Sequence, residues 1–550
     1  MKKPNFGLSL LISIMMSAPL TALFYLGSSL AGLSNVPFNL FDWITRILPG
    51  GMITFGIDSM ISVLRFFGID VATASKAAEQ SMAILVFFVI ATIFGLLFFW
   101  ITNRRSQPPR WGDGLLLGLV FGLPMIIISS IFTKSTVSPV IDLLWQIILF
   151  LAWGIGHSWA GDHVWYPAPQ PVATVADVPA GPEVIKVEKI NRRQFLIVLG
   201  ATSAAITVIG TGLAAVLGNQ GSAIGAVGSP AEQPHTDTGQ PQPQLPNQND
   251  PVTPAPGTRP EYTPLKDHYK VYINLEPNVI NGETWSLPIT GMVDHPLTLT
   301  LDDIRNNYPV RNQYITINCI SGRIPTTLIG TTLWTGASVQ DILADAGVQP
   351  GAQYLYIQSG DGYYETVDLD LINSDKRIMF TYNWDGNPLP VDHGYPLRIW
   401  IPDRFGMKQP KWITSVEVTD QYHPGYWVER GWDKVAQVKT RSVIDTVAVD
   451  AVYDGPQGKL VPIGGIAFAG ARRISRVELQ VDGGDWMEAK LRSPLSDTTW
   501  VIWRYDWPFQ SGDHTFAVRC YEGDGTPQIA TVAPPHPSGA TGIHEVRKNI

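Results

Sequence analysis

The ten residues 318–327, NCISGRIPTT, contain one of only two cysteines in this chain of 550 residues. Cys319 follows the alternation Tyr314-Ile315-Thr316-Ile317, which is typical of a half-buried β-strand. A single cysteine most often behaves as a small buried apolar residue. It can also serve as a thiolate metal ligand or as a nucleophile, so the rest of the sequence has to separate these roles.

The composition limits the class of protein. The net charge of -8 shows no excess of basic residues, so nucleic acid is not an expected partner. Two cysteines without a CxxC pair argue against zinc ribbons, cysteine-ligated iron–sulfur clusters and c-type haem within this chain. Charged residues make up only 16% of the chain, and this deficit indicates a membrane portion.

The apolar residues concentrate before residue 220. Five runs are each close to the ~20 residues that cross a bilayer as a helix. They are 8–30, 81–101, 114–132, 139–159 and 195–217. The apolar stretch 38–66 carries four charges and a Pro-Gly-Gly break, which favours two amphipathic pieces at the interface; a charged, broken span is the alternative. We therefore predict that residues 1–218 form a transmembrane anchor of α-helices.

Basic residues near the ends of the spans predict their orientation. Lys2 and Lys3, the arginines of 102–112 and the basic residues of 160–194 are all expected in the cytoplasm, and five spans satisfy these constraints. The C-terminal half is then expected on the extracytoplasmic side of the cell membrane. Arg192-Arg193, before the last span, resembles a twin-arginine export signal, and ordinary positive-inside anchoring is the alternative.

The helical region is not predicted to carry electrons. A b-type haem needs paired axial ligands, usually histidines, and only His157 lies within a span, with His163 just beyond it. Electrons are therefore expected to leave through a separate partner, such as a cytochrome or a quinone-linked protein.

The chain changes character after the last span. Residues 219–260 are rich in Pro, Gln, Gly and Asn, which predicts a disordered or semi-extended linker. Over 261–435, short β-type runs alternate with a few helical pieces. Residues 436–550 are predicted to be all-β, with alternating strands such as 474–481, which ends at an Asp-Gly-Gly turn. Cys520 lies inside another such strand and is expected to be a core residue.

Five segments follow one another within residues 268–550. They are HYKVYINLEPNVINGETWSLPITGMVDHPLTLTLDDI, NCISGRIPTTLIGTTLWTGASVQDIL, HGYPLRIWIPDRFGMKQPKWITSVEV, GYWVERGWDKVAQVKTRSVID and GIAFAGARRISRVELQVDGGDWMEAKL. In this order they resemble the sulfite oxidase family of molybdopterin enzymes, in its bacterial, membrane-attached branch. The resemblance implies a multidomain chain: the anchor, an α+β molybdopterin domain at 261–435, and an immunoglobulin-like sandwich at 436–550 that mediates homodimers.

The same resemblance implies the site residues. Cys319 matches the molybdenum-ligand position, and a soft thiolate suits a metal that changes oxidation state. The implied cofactor, molybdenum-molybdopterin, ends in a phosphate, and the run 393–412 concentrates side chains that suit such an anion. These are His393, Arg398, Lys408 and Lys411, with solvated surface charge as the alternative for some of them. Asn274 matches a further cofactor contact.

The resemblance implies two-electron oxygen-atom transfer on a small anionic or oxo substrate, with sulfite as the first candidate. Arg323 could bind such an anion, and an orientation toward solvent is the alternative. Trp432 lies near the family's substrate-pocket tyrosine but has no phenol, which departs from sulfite oxidases proper. Reduction of an S-oxide or N-oxide stays open, although the sandwich favours the oxidase direction. A cofactor-free surface binding module on the same scaffold also stays open.

Overall fold

The computed structural model describes residues 3–66, 71–132, 137–165, 192–218, 245–456 and 458–550. The chain forms two compact units, which are described separately. The first comprises Met1–Leu48 and Ala77–Pro234, and the second comprises Pro49–Lys76 and His235–Ile550.

The apolar N-terminal part of the chain is helical. The helices are α1 (Phe6–Ala31), α2 (Val36–Ile47), α3 (Gly50–Phe66), α4 (Val71–Thr102), α5 (Trp111–Phe132), α6 (Pro139–Val164) and α7 (Arg192–Gly218). Five segments of the described chain are long and apolar enough to cross a membrane, and each overlaps a predicted span. They are Phe6–Ala31, Lys76–Thr102, Trp111–Phe132, Pro139–Val164 and Arg193–Gly210. The stretch 38–66 forms the two separate helices α2 and α3, and their place at a membrane interface stays a prediction.

Aromatic rings fill the interior of the first unit. The ring of Phe150 on α6 lies 5.2 Å from that of Phe24 on α1 and 5.5 Å from that of Phe121 on α5, measured between centroids. Glycine brings α5 and α6 together, because a Cβ atom at Gly118 would lie 2.6 Å from the carbonyl oxygen of Phe150. Small residues at such contacts allow the close backbone approach that packs helices in membranes.

Within residues 261–435, the second unit contains two β-sheets and three short α-helices. The strands are β1 (Ser286–Gly291), β2 (Leu297–Thr300), β3 (Val310–Asn318), β4 (Ile329–Ser338), β5 (Tyr354–Ser359), β6 (Tyr364–Asp368), β7 (Met379–Trp384), β8 (Asn387–Pro388), β9 (Arg398–Trp400) and β10 (Ile413–Thr419). The helices are α8 (Leu301–Asn307), α9 (Val339–Ala346) and α10 (Leu369–Ser374). One sheet has the order β2-β1-β10-β5-β6, and the other has the order β3-β4-β7-β8 with β9 on β7.

The antiparallel pair β3 and β4 holds the loop that contains Cys319. Its register runs from Val310 opposite Ala337 to Asn318 opposite Ile329, so the loop 319–328 leaves the end of the ladder. The apolar alternation of β3 buries Ile315 and Ile317 on a common aromatic core. The prediction of a strand before Cys319 is therefore confirmed, and its last four residues, 315–318, are buried on both faces.

Residues 436–550 of the second unit consist mainly of β-strands. Its strands are β11 (Arg441–Val447), β12 (Tyr453–Gly455), β13 (Gly458–Phe468), β14 (Ile474–Val481), β15 (Trp486–Glu488), β16 (Lys490–Leu491), β17 (Val501–Pro508), β18 (Asp513–Glu522) and β19 (His544–Asn549). They form the sheets β11-β13-β17-β16, with β12 on β13, and β15-β14-β18-β19. Val461 of one sheet and Val518 of the other share a core with Cys520, which confirms Cys520 as a core residue. An immunoglobulin-like arrangement of these sheets stays a prediction.

Residues 245–260 depart from the linker prediction. Arg492 donates hydrogen bonds to the carbonyl oxygens of Asn247 and Val252, both at 2.8 Å, and Ala255 is buried. Arg504 donates to the carbonyl oxygen of Thr253 at 3.1 Å. Two arginines from the β-strand region thus donate hydrogen bonds to backbone carbonyl oxygens of this proline-rich segment. Composition alone could not reveal these contacts. The prediction is wrong for 245–260, and its remaining part, 219–244, lies outside the described residues.

Candidate active site

Cys319 lies in a tight turn directly after β3. Its N–H donates to the carbonyl oxygen of Leu328 at 2.9 Å, and its own carbonyl oxygen accepts from the N–H of Gly322 at 3.1 Å. The thiol is free and buried, with Sγ 3.1 Å from Oγ of Ser321. The turn therefore fixes the direction of this thiol, and it lies beside the aromatic ring of Tyr269 in one buried cluster.

The charges around Cys319 are positive. Burial raises the pKa of its thiol, while hydrogen bonds from Ser321 and the charges of Lys411 and Arg441 lower that pKa. A bound metal ion would displace the thiol proton, and the two cations would then stabilise the thiolate. The surroundings of Cys319 thus suit a metal-bound thiolate.

The run 393–412 brings three of the predicted residues together. Arg398 on β9 is buried; its Nη1 donates to the carbonyl oxygen of His393 at 3.1 Å. Nζ of Lys411 donates to the carbonyl oxygen of Asp392 at 3.0 Å. Gly394 has a φ of 114°, and a Cβ atom there would lie 3.0 Å from Cβ of Lys411 and 3.3 Å from Cβ of Arg398. Glycine at this position therefore lets the two cationic side chains pack next to each other.

Several buried polar nitrogen atoms at this place have no partner among the described residues. The rings of His268 and His393 are 5.3 Å apart, and Trp384 lies 4.4 Å from His393. Nε2 of each histidine and Nε of Arg398 have no hydrogen-bond partner among the described residues, although all three atoms are buried. Because nearly all buried polar atoms in proteins are paired, these atoms indicate a ligand that forms hydrogen bonds here.

Burial sets the charge of these groups. It lowers the pKa of His268 to about 3 and that of His393 well below its usual range, so both rings are neutral at pH 7. It also lowers the pKa of Arg398 to about 10, which leaves the guanidinium charged. Burial and the charge of Arg398 hold the pKa of Lys411 well below normal. A bound anion would therefore be attracted by Arg398 and would raise the pKa of Lys411 by favouring its charged form.

Lys408 lies in a different environment. Its Nζ donates to Oε1 of Glu365 at 2.6 Å and to the carbonyl oxygen of Thr366 at 3.0 Å, and both side chains of the ion pair are almost fully buried. The pair anchors the short 3-10 turn Gly406–Lys408 to β6. The ammonium group of Lys408 thus has protein partners, and its contact with a cofactor stays a prediction.

The structure places the remaining predicted residues as follows. Asn274 is buried, and its Nδ2 donates to the carbonyl oxygen of Asp361 at 3.1 Å. Arg323 is half-buried in the loop after Cys319. Trp432 is buried in the same cluster as Ile320, the residue next to Cys319. Trp432 thus packs next to the Cys319 loop and Arg323 belongs to that loop, while the roles of Asn274 and Arg323 stay predictions.

Sequence analysis missed two residues of this region. His268 is the first residue of the first segment quoted above, and its ring lies against His393. Arg441 occurs in KTRSVID, where an arginine at the start of an apolar strand was the available signal. Neither residue is close to Cys319 in sequence. Only the folded structure reveals that the ring of His268 and the charge of Arg441 belong to the region around Cys319.

Comparisons with known proteins agree with this geometry. The family model described as "Oxidoreductase molybdopterin binding domain" matches residues 274–427. A nitrate reductase [NADPH] of Fusarium oxysporum is 28% identical over 262 residues, which are 39% of this chain and 29% of that protein. Human mitochondrial sulfite oxidase is 26% identical over 307 residues, which are 48% of this chain and 55% of that protein. The oxidoreductase YuiH of Bacillus subtilis is 30% identical over 150 residues, which are 27% of this chain and 72% of that protein.

The chain thus spans 29% to 55% of the length of the nitrate reductase and the sulfite oxidase. Among solved structures, the sulfane dehydrogenase SoxCD of Paracoccus pantotrophus is similar with a TM-score of 0.45 and 18% identity, over 54% of this chain and 86% of that chain. The buried unpaired nitrogen atoms fit a phosphate-bearing pterin, and the thiol of Cys319 fits its metal. The chain is therefore an oxidoreductase with a molybdenum-molybdopterin cofactor, and it belongs to the sulfite oxidase family.

Proposed function

We propose that this protein is a membrane-anchored enzyme that transfers an oxygen atom to or from a small anionic or oxo substrate, as a sulfite oxidase does. One observation carries the proposal: the free thiol of Cys319 lies in a region where the buried nitrogen atoms of His268, His393 and Arg398 have no protein partner. When bound, the molybdenum-molybdopterin cofactor supplies the two-electron oxygen-transfer chemistry. The protein supplies binding, orientation and electrostatics.

Different residues would bind the metal, the phosphate and the pterin of this cofactor. Cys319 would bind the metal through a thiolate whose direction is set by the turn with Leu328 and Gly322. Arg398 and Lys411 would hold the terminal phosphate, since a planar guanidinium and a point charge both suit this anion. The neutral rings of His268 and His393 would exchange hydrogen bonds with the pterin, and Asn274 is a further contact.

The ion pair between Lys408 and Glu365 would position the turn that approaches Cys319. The main chain at Gly406 lies close to the site, since a Cβ atom there would be 3.4 Å from Oη of Tyr269 and 3.7 Å from the carbonyl oxygen of Asn318. The ion pair of Lys408 would fix the far end of this turn and thereby hold the main chain at Gly406 in its place next to the site. Lys408 would then position the backbone near the cofactor without touching the cofactor itself.

We expect Arg398→Gln to weaken cofactor binding by about 10–100-fold, the range found for groups that support a metal site. The reason is that the variant loses the buried cation that faces the cofactor's anion. Molybdenum per chain, measured by mass spectrometry, and pterin per chain, measured by fluorescence after oxidation, check this result. Arg504→Gln, which changes a partly buried arginine paired with Asp506, is the matched control. Equal cofactor content in wild type and Arg398→Gln would contradict the assignment.

We also propose that the second unit from residue 245 onward lies on the extracytoplasmic side of the cell membrane. The basic loops near the helix ends and the five apolar helices support this orientation. In spheroplasts, an added protease is expected to remove an epitope tag placed after Ile550 before the cells are lysed. A tag that survives until lysis would place this region in the cytoplasm.

Electron transfer is proposed to involve a separate cytochrome or quinone-linked protein. The only histidines before residue 220 are His157 and His163, and both belong to α6, so two different helices do not offer a histidine pair for haem. By resemblance to the family, a C-terminal sandwich favours the oxidase direction and mediates homodimers. The two sheets after residue 436 are compatible with such a sandwich, so we propose both properties for this protein.

A further inference from the structure

A cavity lies in the first unit where α5 begins and α6 ends. Its volume is about 500 Å³, and its lining includes Gln107, Arg110, Trp111, Trp159 and Asp162. A volume of this size accommodates a small ligand or the head group of a lipid. The roles proposed so far do not involve this cavity.

Contacts between α6, α5 and the residues before α5 fix the walls of the cavity. Oγ of the buried Ser158 donates to the carbonyl oxygen of Arg110 at 2.9 Å. A Cβ atom at Gly161 would lie 2.6 Å from Cγ of Pro109, and one at Gly114 would lie 2.7 Å from Oγ of Ser158. Glycine at both positions therefore allows the close approach that packs these elements against each other. The cavity is thus part of a tightly packed helix end.

Two opposite charges line the cavity without pairing with each other. Nη2 of Arg110 donates to Oε1 of Gln107 at 2.9 Å, and no ion pair among the described residues includes this guanidinium. The carboxylate of Asp113, in the first turn of α5, pairs instead with Arg105. Asp162 has neither a hydrogen bond nor an ion pair within the part of the chain that the structure describes. The cavity therefore presents one cation and one anion to a ligand.

The surroundings of the cavity are those of a lipid head group. Trp111 is 73% exposed and Trp159 is 47% exposed. Tryptophans at the ends of apolar helices, next to a loop rich in arginine, mark the head-group level of a bilayer. From Trp159, exposed apolar side chains continue along one face of α6 at Ile155, Ile148 and Leu144. The cavity thus lies at the end of an apolar stripe that acyl chains can cover.

The two charges determine which lipid fits. A head group with only a negative charge would place that charge beside the carboxylate of Asp162. A neutral quinone ring would leave both Arg110 and Asp162 without an ionic partner. A phosphate suits the planar guanidinium, and a primary ammonium group has three N–H donors for a carboxylate. Phosphatidylethanolamine carries both groups, whereas the trimethylated ammonium of phosphatidylcholine has no N–H to donate.

We propose that this cavity binds the head group of phosphatidylethanolamine, with its phosphate on Arg110, its ammonium on Asp162 and its acyl chains along the exposed face of α6. This inference rests on the proposed membrane anchoring, because the ligand is a lipid of the bilayer. In the orientation proposed above, the lipid belongs to the cytoplasmic leaflet. Its binding would hold the adjoining ends of α5 and α6 at the level of the head groups.

The test uses the full-length protein, stripped of lipid in detergent and then mixed with one phospholipid at a time. The probes are phosphatidylethanolamine, phosphatidylcholine and phosphatidylglycerol with identical acyl chains, and native mass spectrometry gives the Kd of each. Wild-type protein should bind phosphatidylethanolamine about tenfold more tightly than the other two, since only this lipid forms the charge-assisted hydrogen bond with Asp162. Asp162→Asn should remove this preference without weakening the binding of phosphatidylglycerol. Arg110→Gln should weaken the binding of all three lipids.

A second measurement and a control variant accompany these Kd values. Phosphatidylethanolamine should raise the thermal unfolding midpoint of wild-type protein more than that of Asp162→Asn, because a ligand stabilises the folded state that binds it. Arg104→Gln is the matched control. Arg104 belongs to the same basic loop, but its guanidinium carbon lies 3.6 Å from the ring centroid of Trp100 and it does not line the cavity. This variant should bind the three lipids as wild type does.

The outcomes separate this inference from the proposed function. Equal Kd values of wild type for the three lipids, or an unchanged preference in Asp162→Asn, would overturn the role of the cavity. Equally tight binding of glycerophosphoethanolamine, which has no acyl chains, would assign the cavity to a soluble phosphodiester and would also overturn it. Release of the protein from membranes by alkaline carbonate would contradict the proposed anchoring, while the Kd values in detergent would still decide the role of the cavity.

Discussion

Replacement of Cys319 by serine is expected to lower oxygen-transfer activity by roughly 100-fold or more, since even the groups that only support a metal ligand are worth about 10–100-fold. Serine keeps the size of the side chain but removes the soft thiolate that suits this metal. Pterin should remain bound, because Arg398, Lys411 and the two histidines are unchanged. Steady-state turnover with an electron-accepting dye measures the activity, and X-ray absorption at the molybdenum edge counts the sulfur ligands.

Cys520→Ser is the natural control for this experiment. Cys520 is also fully buried, and its Sγ lies 3.2 Å from Oε1 of Gln528, but it belongs to the core between the two C-terminal sheets. We expect this variant to keep its activity and its molybdenum. Full activity in Cys319→Ser, or the same sulfur count as wild type, would show that Cys319 does not bind the metal.

Replacement of Lys408 by methionine is expected to reduce the free energy of unfolding by about 3–5 kcal/mol, the cost of breaking a buried ion pair on one side. The side chain of Glu365 is 0% exposed and that of Lys408 is 7% exposed, so solvent does little to weaken their interaction. Without Lys408, the carboxylate of Glu365 is left buried with no cation. Denaturant titration of the full-length protein in detergent, followed by tryptophan fluorescence, measures the change.

A double variant provides the control. Glu365→Leu combined with Lys408→Met removes both charges and should recover most of the lost stability, because a buried pair can often be replaced by apolar side chains at little cost. Equal stability of Lys408→Met and wild type would mean that Lys408 does not neutralise Glu365.

The effect of Lys408→Met should depend on pH. Burial raises the pKa of Glu365, and the charge and hydrogen bond of Lys408 lower it. Without Lys408, the folded-state pKa rises further above the unfolded value, so the folded state holds this proton more tightly. Protonation then stabilises the variant at low pH, and that stabilisation is lost as the pH rises through the folded-state pKa. The deficit relative to wild type should therefore be smaller at about pH 5 than at about pH 8, and an equal deficit at both would contradict this account.

Local patterns in the sequence were sufficient to predict the long helices and several of the strands. The apolar runs predicted the five long helices, because a run of about 20 apolar residues is itself the property that a membrane span needs. The alternation before Cys319 predicted β3, and the alternation around Cys520 predicted a core strand. The order of five motifs was enough to indicate the family and its cofactor.

The tertiary structure alone decided how distant residues pair. Lys408 and Glu365 are 43 positions apart, and their ion pair makes Lys408 a support of the turn. His268 joins His393 from far along the chain, Arg441 reaches the surroundings of Cys319 from β11, and Arg492 orders residues 245–260. Periodicity and composition predict the local structure of residues that are neighbours in sequence, and they do not predict contacts between distant residues. The partner of a buried charge depends on which strands the fold brings together, and no local pattern contains that information.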